Sequence, residues 1–253
     1  MSARRIALCI AYDGTDYAGW QRQKNGLSIQ QVVEETIERL FAEPVYLIAS
    51  GRTDAGVHAE GQVAAFDLMH EVPVERLMAA LNSNLPETIR IMDVWEAEPD
   101  FQPRYDAKRK TYRYAVYNAD ILPPQRRLYA VREYRRIDWD LVAQALQSIE
   151  GTHDFAAFHS TGSSEKSTER TIYEARTYVS ADDADMHFIE LTGNGFLYNM
   201  VRIIVGTVLD IGCGKRNISC IEDAFRTGDR DLTGPTAPAK GLTLVRVEYE
   251  KTR

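Results

Sequence analysis

Cysteine is scarce in this chain of 253 residues: Cys9, Cys213 and Cys220 are the three, an odd count without close-paired spacing. That excludes a disulfide framework and a structural zinc site, and the three read as reduced thiols. Also missing is any run of about 18 uncharged apolar residues, so no membrane span is expected. The strand pattern that follows Met1–Arg5 at once gives no signal-peptide profile, and the expectation is a cytoplasmic protein. No G-K-[ST] occurs, and Gly193-Asn194-Gly195 has too few glycines for a dinucleotide loop, so no nucleotide cofactor is expected. G-x-S-x-G is absent and no cysteine sits in a polar, charged loop, which leaves a serine or cysteine nucleophile without support. His58-Ala59-Glu60 matches the first half of the zinc deaminase signature, but no P-C-x-x-C follows, and no metal is expected.

What is present is an ordinary globular composition, 44% hydrophobic and 26% charged, long enough for one large domain or two smaller ones. The net charge of −7 is unevenly spread. Between Arg104 and Arg136 stand Arg104, Lys108, Arg109, Lys110, Arg113, Arg126, Arg127, Arg132, Arg135 and Arg136, against Asp106, Asp120 and Glu133. This local balance of +7 leaves −14 on the rest of the chain. A polyanion responds to local charge, and Tyr105, Tyr112, Tyr114 and Tyr117 are interleaved among the cations. Rings that stack on bases beside cations that take phosphates suit RNA; a solvated strand face is the plainer alternative.

Hydrophobic periodicity predicts a strand over 5–12, a helix over 28–41 opened by Ser28, strands over 45–49 and 62–68, a helix over 74–82 and a strand over 89–95. The order β-α-β-β-α-β then recurs: strand 111–117, helix 139–149, strands 172–179 and 187–192, helix 197–211, strand 242–249. The expected fold is α+β, two ferredoxin-like or RRM-like βαββαβ halves with mainly antiparallel sheets side by side and an active-site cleft between them. The boundary falls near 98–108, giving an N-terminal subdomain 1–103 and a C-terminal subdomain 104–253. Two segments fit neither half: the basic Pro123-Pro124-Gln125-Arg126-Arg127 and the small polar stretch Ser160–Ser167, either a surface connection or a lid.

Chemistry concentrates in Ser50-Gly51-Arg52-Thr53-Asp54-Ala55-Gly56-Val57-His58-Ala59, directly after an apolar run. Gly51 and Gly56 permit positive φ or close backbone approach, so the loop can present Asp54 from the end of a rigid element. Arg52, two residues before, is placed for a local ion pair keeping Asp54 ionised. An aspartate among glycines is also a common turn residue. As chemistry, a lone carboxylate suits nucleophilic attack on a sugar anomeric carbon or an activated ring carbon. A retaining glycosidase would need a second acid, for which Glu60 is the only near neighbour.

Gly51-Arg52-Thr53-Asp54-Ala55-Gly56-Val57-His58-Ala59 resembles the signature of the TruA family of tRNA pseudouridine synthases. Four further stretches match in order: Tyr12–Gln21, Lys110-Thr111-Tyr112-Arg113-Tyr114, Gly195–Arg202 and Thr236–Leu242. The resemblance implies that Asp54 is the catalytic aspartate, Tyr112 the ring on the target base, Arg202 the cation paired with Asp54, and Leu242 a wall of the uracil pocket. It further implies that Arg52 helps move the target nucleotide out of the helix. Where many members carry F-H-A-R, this chain has Phe101-Gln102-Pro103-Arg104, so a role for that histidine does not carry over. The implied reaction is isomerisation of uridine to pseudouridine in the anticodon arm of tRNA, at positions 38–40, by a homodimer without cofactor or metal. Arg104, Lys108, Arg109 and Lys110 are the candidate RNA contacts. The rivals are a non-catalytic tandem RNA-binding protein and an Asp54-dependent nucleoside or glycoside hydrolase.

Overall fold

A computed structural model describes residues 3–160 and 167–250, so all but the ends of the polar stretch Ser160–Ser167 lies outside the described residues. The chain divides into two compact units, 1–108 with 243–253, and 109–242.

The first unit contains β1 (Arg4–Tyr12), α1 (Ile29–Phe41), β2 (Ile48–Ala49), β3 (His58–Leu68), α2 (Val74–Asn84) and β4 (Ile89–Glu96). Ser28 opens α1 as expected: its hydroxyl accepts from the Gln31 N–H at 3.2 Å, satisfying one of the free donors of the first turn. Ile29, Val33 and Ile37 line the buried face of that helix. β1 lies between β4 and β3, antiparallel to both, with Ile6 opposite Phe66 and Leu8 opposite Ala64. Ile6, Leu8, Ile10, Phe66 and Leu68 are fully buried, each worth about 1.5–3 kcal/mol of transfer free energy.

The other edge of β3 is shared. β2 pairs antiparallel near its end, at Ala64 and Ala65. The last strand of the chain, β10 (Leu242–Tyr249), pairs parallel at its start, at His58 and Ala59. Through that pairing residues 243–253 join the first unit instead of residues 109–242. β2 is shorter than the expected 45–49 because the Leu47 backbone is engaged by α1: its N–H donates to Glu34 Oε1 at 2.9 Å, and its carbonyl accepts from Gln30 Nε2 at 3.2 Å.

The second unit holds β5 (Ala107–Tyr117, from Arg109 onward), β6 (Val131–Arg132), α3 (Trp139–Gln147), β7 (Gly151–Asp154), β8 (Glu169–Val179), β9 (Met186–Gly193), α4 (Met200–Gly212) and α5 (Cys220–Thr227). Its sheet runs β5-β9-β8-β7, every neighbouring pair antiparallel, with β6 parallel to β5. Asp138 caps α3 by accepting from the Leu141 N–H at 3.0 Å. The βαββαβ order is thus present twice along the chain, with β6, β7 and α5 added to the second copy.

The three cysteines are free and partly buried, and burial is the main effect raising each thiol above its ordinary value. Among the described residues no helix is long and apolar enough to cross a membrane.

Candidate active site

In the first unit the Asp54 loop is held from below by backbone and buried hydroxyls. Ser50 is fully buried; its N–H bonds the Val63 carbonyl at 2.8 Å and its hydroxyl donates to Gln62 Oε1 at 2.6 Å. Gln62 in turn donates to the Gly51 carbonyl at 2.9 Å. Thr53 turns inward, its hydroxyl 2.7 Å from that of Tyr12, while the Trp20 N–H bonds the Thr53 carbonyl at 3.0 Å. Burial pushes the Tyr12 hydroxyl up to about 12, against a lowering by its hydrogen bonds, so it stays protonated at neutral pH. The Val57 N–H closes a turn on the Asp54 carbonyl at 3.1 Å, with Gly56 at φ 76°. Asp54 itself is half-buried at the tip.

Two glycines press on this loop from the segment Tyr12–Gln21. A Cβ on Gly14 would lie 2.0 Å from the Val57 carbonyl oxygen, and one on Gly19 would lie 2.6 Å from the Thr53 carbonyl oxygen. Gly19 also has φ +91°, which L side chains rarely adopt. Of the two glycines expected to permit positive φ or close backbone approach, Gly56 has positive φ and Gly51 does not.

The expected ion pair between Arg52 and Asp54 is not formed. Arg52 is exposed and makes no ion pair among the described residues; an exposed guanidinium gains little from such a pair. His58 is buried at the start of β3, where its Nδ1 accepts from the Gly14 N–H at 3.1 Å, with Asp13 Oδ1 at 3.2 Å. It buttresses the loop. Among the described residues no group of three His, Cys, Asp or Glu could hold a metal ion.

In the second unit Tyr112 lies on β5 opposite Leu191, largely buried, its ring edge-on to Phe196 at 5.1 Å and 82°. Two residues on, Tyr114 is fully buried and donates to the Pro238 carbonyl at 2.8 Å. Burial raises its hydroxyl, with the Arg202 charge pulling the other way. Gly241 lies against the Tyr114 ring, where a Cβ would come within 2.6 Å of Cζ. Leu242, at the start of β10, is buried.

Arg202 stands in the first turn of α4. Its Nε donates to the Ala237 carbonyl at 2.7 Å, one η-nitrogen donates to Asn199 Oδ1 at 2.9 Å, and its own carbonyl accepts from the Ala237 N–H at 3.0 Å. Gly206, one turn further, touches the 234–238 segment so closely that a Cβ would lie 1.8 Å from the Pro235 carbonyl oxygen. The two distant motifs Gly195–Arg202 and Thr236–Leu242 thus form one packed cluster. Each candidate side chain is rooted in its own unit: Arg52 and Asp54 in the first, Tyr112, Arg202 and Leu242 in the second.

The basic stretch is divided as well. Arg104 and Lys108 belong to the first unit, and Arg109 onward to the second. Several of its cations are spent on acids: Lys108 on Glu250 at 3.4 Å, Arg113 on Glu190 at 3.4 Å, Arg126 on Asp183 at 3.7 Å, and Arg135 on Glu133. Of the interleaved tyrosines only Tyr105 is exposed; Tyr112, Tyr114 and Tyr117 are buried, so they do not form an open stacking face. From Thr111 to Tyr117 every residue of β5 except Arg113 is buried, so a solvated strand face is confined to its first residues. Exposed rings lie elsewhere, beside arginines: Tyr173 under Arg109 at 4.8 Å, and Tyr134 under Arg132 at 5.6 Å. The Pro123–Arg127 segment contains one turn of 3-10 helix over Pro124–Arg126, with both arginines exposed.

Sequence reading missed Tyr12, Gly14, Gly19, Asn199 and Ala237 as supports of the candidate residues. The available signal was the close spacing of small and polar residues inside the matching motifs.

The sequence profile of a family described as tRNA pseudouridine synthase matches residues 8–106 and 145–250. The chain is 43% identical over 252 residues to tRNA pseudouridine synthase A 1 of Desulfotalea psychrophila, covering 97% of this chain and 100% of that protein. It is 45% identical over 248 residues to tRNA pseudouridine synthase A of an Exiguobacterium species, covering 98% and 99%. To the protein of that name from Pelobacter propionicus it is 43% identical over 246 residues, covering 97% and 100%.

Proposed function

The chain belongs to the tRNA pseudouridine synthase family, and from that premise we propose that it isomerises uridine to pseudouridine in the anticodon arm of tRNA, with Asp54 as the catalytic carboxylate. The observation that carries the assignment to Asp54 is its loop, a half-buried carboxylate on a backbone clamped by Gly14, Gly19, Ser50 and Thr53. That construction suits a group that must meet one carbon atom, and exceeds what a surface turn requires.

The reaction breaks the bond between uracil N1 and ribose C1′ and forms one from C5 to C1′, while the hydrogen on C5 leaves as a proton and N1 gains one. The target base must first leave its stack, since neither C1′ nor C6 is reachable inside a helix. Exposed Arg52 suits contact with the displaced nucleotide. Asp54 acts at C1′, at C6, or as a base on a ribose proton; the three share one requirement, an ionised and fixed carboxylate. We assign Arg202 to keep it so, Tyr112 to the freed uracil and Leu242 to the pocket wall, as the family motifs imply. Detached uracil has to turn without escaping, and an enclosed site meets this by holding the fragments at high effective concentration.

Arg104, Lys108, Arg109 and Lys110 are assigned to the RNA backbone, and the working form to a homodimer, for which light scattering at twice the chain mass is the check. Carbodiimide mapping of tRNA treated with the protein, followed by nucleoside mass analysis, tests the reaction. New pseudouridine at unchanged nucleoside mass supports it. Free uracil would favour the hydrolase, and bound but unaltered tRNA the non-catalytic binder.

A further inference from the structure

We propose that Asn199 is a positioning residue for the reaction, orienting the guanidinium of Arg202 at the cost of a strained backbone. The inference rests on the catalytic reading of Arg202 given above.

Asn199 stands immediately before α4, the position where an asparagine ordinarily adopts extended backbone and caps the helix by accepting from a first-turn N–H. It does neither. Its φ and ψ are 60° and 4°, in the left-handed region, and its side chain makes no capping bond. Among the described residues Ala42 is the only other non-glycine with positive φ, and there the conformation closes the C-terminus of α1. At Asn199 the freed side chain spans two partners instead. Oδ1 accepts from an Arg202 η-nitrogen at 2.9 Å and Nδ2 donates to Ser160 Oγ at 3.0 Å.

These bonds have a geometric consequence. Beside the Nε bond to the Ala237 carbonyl at 2.7 Å, an anchor at an η-nitrogen holds the direction of the fork, which decides how it meets a carboxylate. If only the backbone conformation mattered, glycine would serve better, since it adopts this φ without steric cost. An observed backbone outlier of this kind points to function.

The decisive variant is therefore Asn199→Gly in the full-length protein, which keeps the backbone and removes the tether. Steady-state tritium release from tRNA carrying 5-tritiated uridine is measured alongside the thermal midpoint. The expected result is a midpoint equal to or above that of the parent, kcat reduced about tenfold or more, and KM within twofold. Parental kcat, or a loss confined to KM, overturns the proposal. Ser160→Ala releases the far end of the same amide without touching α4, and a several-fold lower kcat at parental KM is expected; no change counts against the tether. Arg202→Ala separates the inference from its premise. If that variant remains active the catalytic reading of Arg202 fails, whereas an inactive Arg202→Ala beside a fully active Asn199→Gly refutes the tether alone.

Discussion

Replacing Gly19 by alanine should damage catalysis far more than it damages the fold. The new Cβ would sit 2.6 Å from the Thr53 carbonyl oxygen and 3.0 Å from the Asp54 carbonyl carbon, where ordinary contact begins at 3.4 Å. The loop must therefore recede by about 0.8 Å at Thr53. The same oxygen accepts the Trp20 N–H, so a hydrogen bond worth about 1 kcal/mol is strained together with it. Alanine at φ +91° adds a conformational cost of roughly 1–2 kcal/mol. A displacement of about 1 Å at a reacting group can lower a rate by the order of 100-fold, and kcat should fall by that order. Gly214→Ala supplies the control: its φ is +71° and no heavy atom lies within 4 Å of the new Cβ, so it carries the backbone cost alone. Thermal melting and tritium release from 5-tritiated uridine in tRNA are measured for both. Both should melt a few degrees below the parent, at about 2–4 °C per kcal/mol, and only Gly19→Ala should lose kcat. A Gly19→Ala protein with parental kcat would refute the claim that this contact positions Asp54.

Two further outcomes follow from charges outside the loop. The Arg135 hydrogen bond holds the Glu133 carboxyl below its ordinary range, so the stability it contributes is present above the unfolded value of about 4.3 and is lost as pH falls through the lower folded value. The difference in urea midpoint between the parent and Glu133→Gln should accordingly shrink between pH 7 and about pH 2.5, and an undiminished difference would contradict that coupling. Arg104 is exposed beside Tyr105, and if it contacts phosphate, Arg104→Gln should lower the slope of log affinity for tRNA against log salt by about 1; an unchanged slope would place the phosphate contact elsewhere.

Much of the fold was legible where side chains report their own surroundings. Ser28 was read as the cap of its helix because a short oxygen side chain at that point satisfies donors only two or three residues away. The strand over 242–249 was read to the residue, its apolar and polar residues alternating on either side of Leu244-Val245. The additions to the second unit escaped for want of length: β6 has two residues, β7 four, and α5 only eight, too few for a period to stand out although Ile221, Ala224 and Phe225 follow helical spacing. Tyr114 and Tyr117 read as open because a strand buried on both faces does not alternate. Within the candidate site Asp54 was evident from its neighbours, but its supports were not. Gly14 and Gly19 act on Val57 and Thr53 through backbone approach, and Ala237 holds Arg202 through a carbonyl. Such contacts depend on main-chain atoms, which every residue carries alike, and only folding reveals which ones meet.

The central claim, that Asp54 performs the chemistry, is met most directly by tritium release from 5-tritiated uridine in tRNA with the parent protein and with Asp54→Asn. That substitution keeps the size of the side chain and removes its charge. The expected result is rapid release by the parent, none above background by Asp54→Asn, and undiminished tRNA binding by both. Equal release by the two proteins would contradict it.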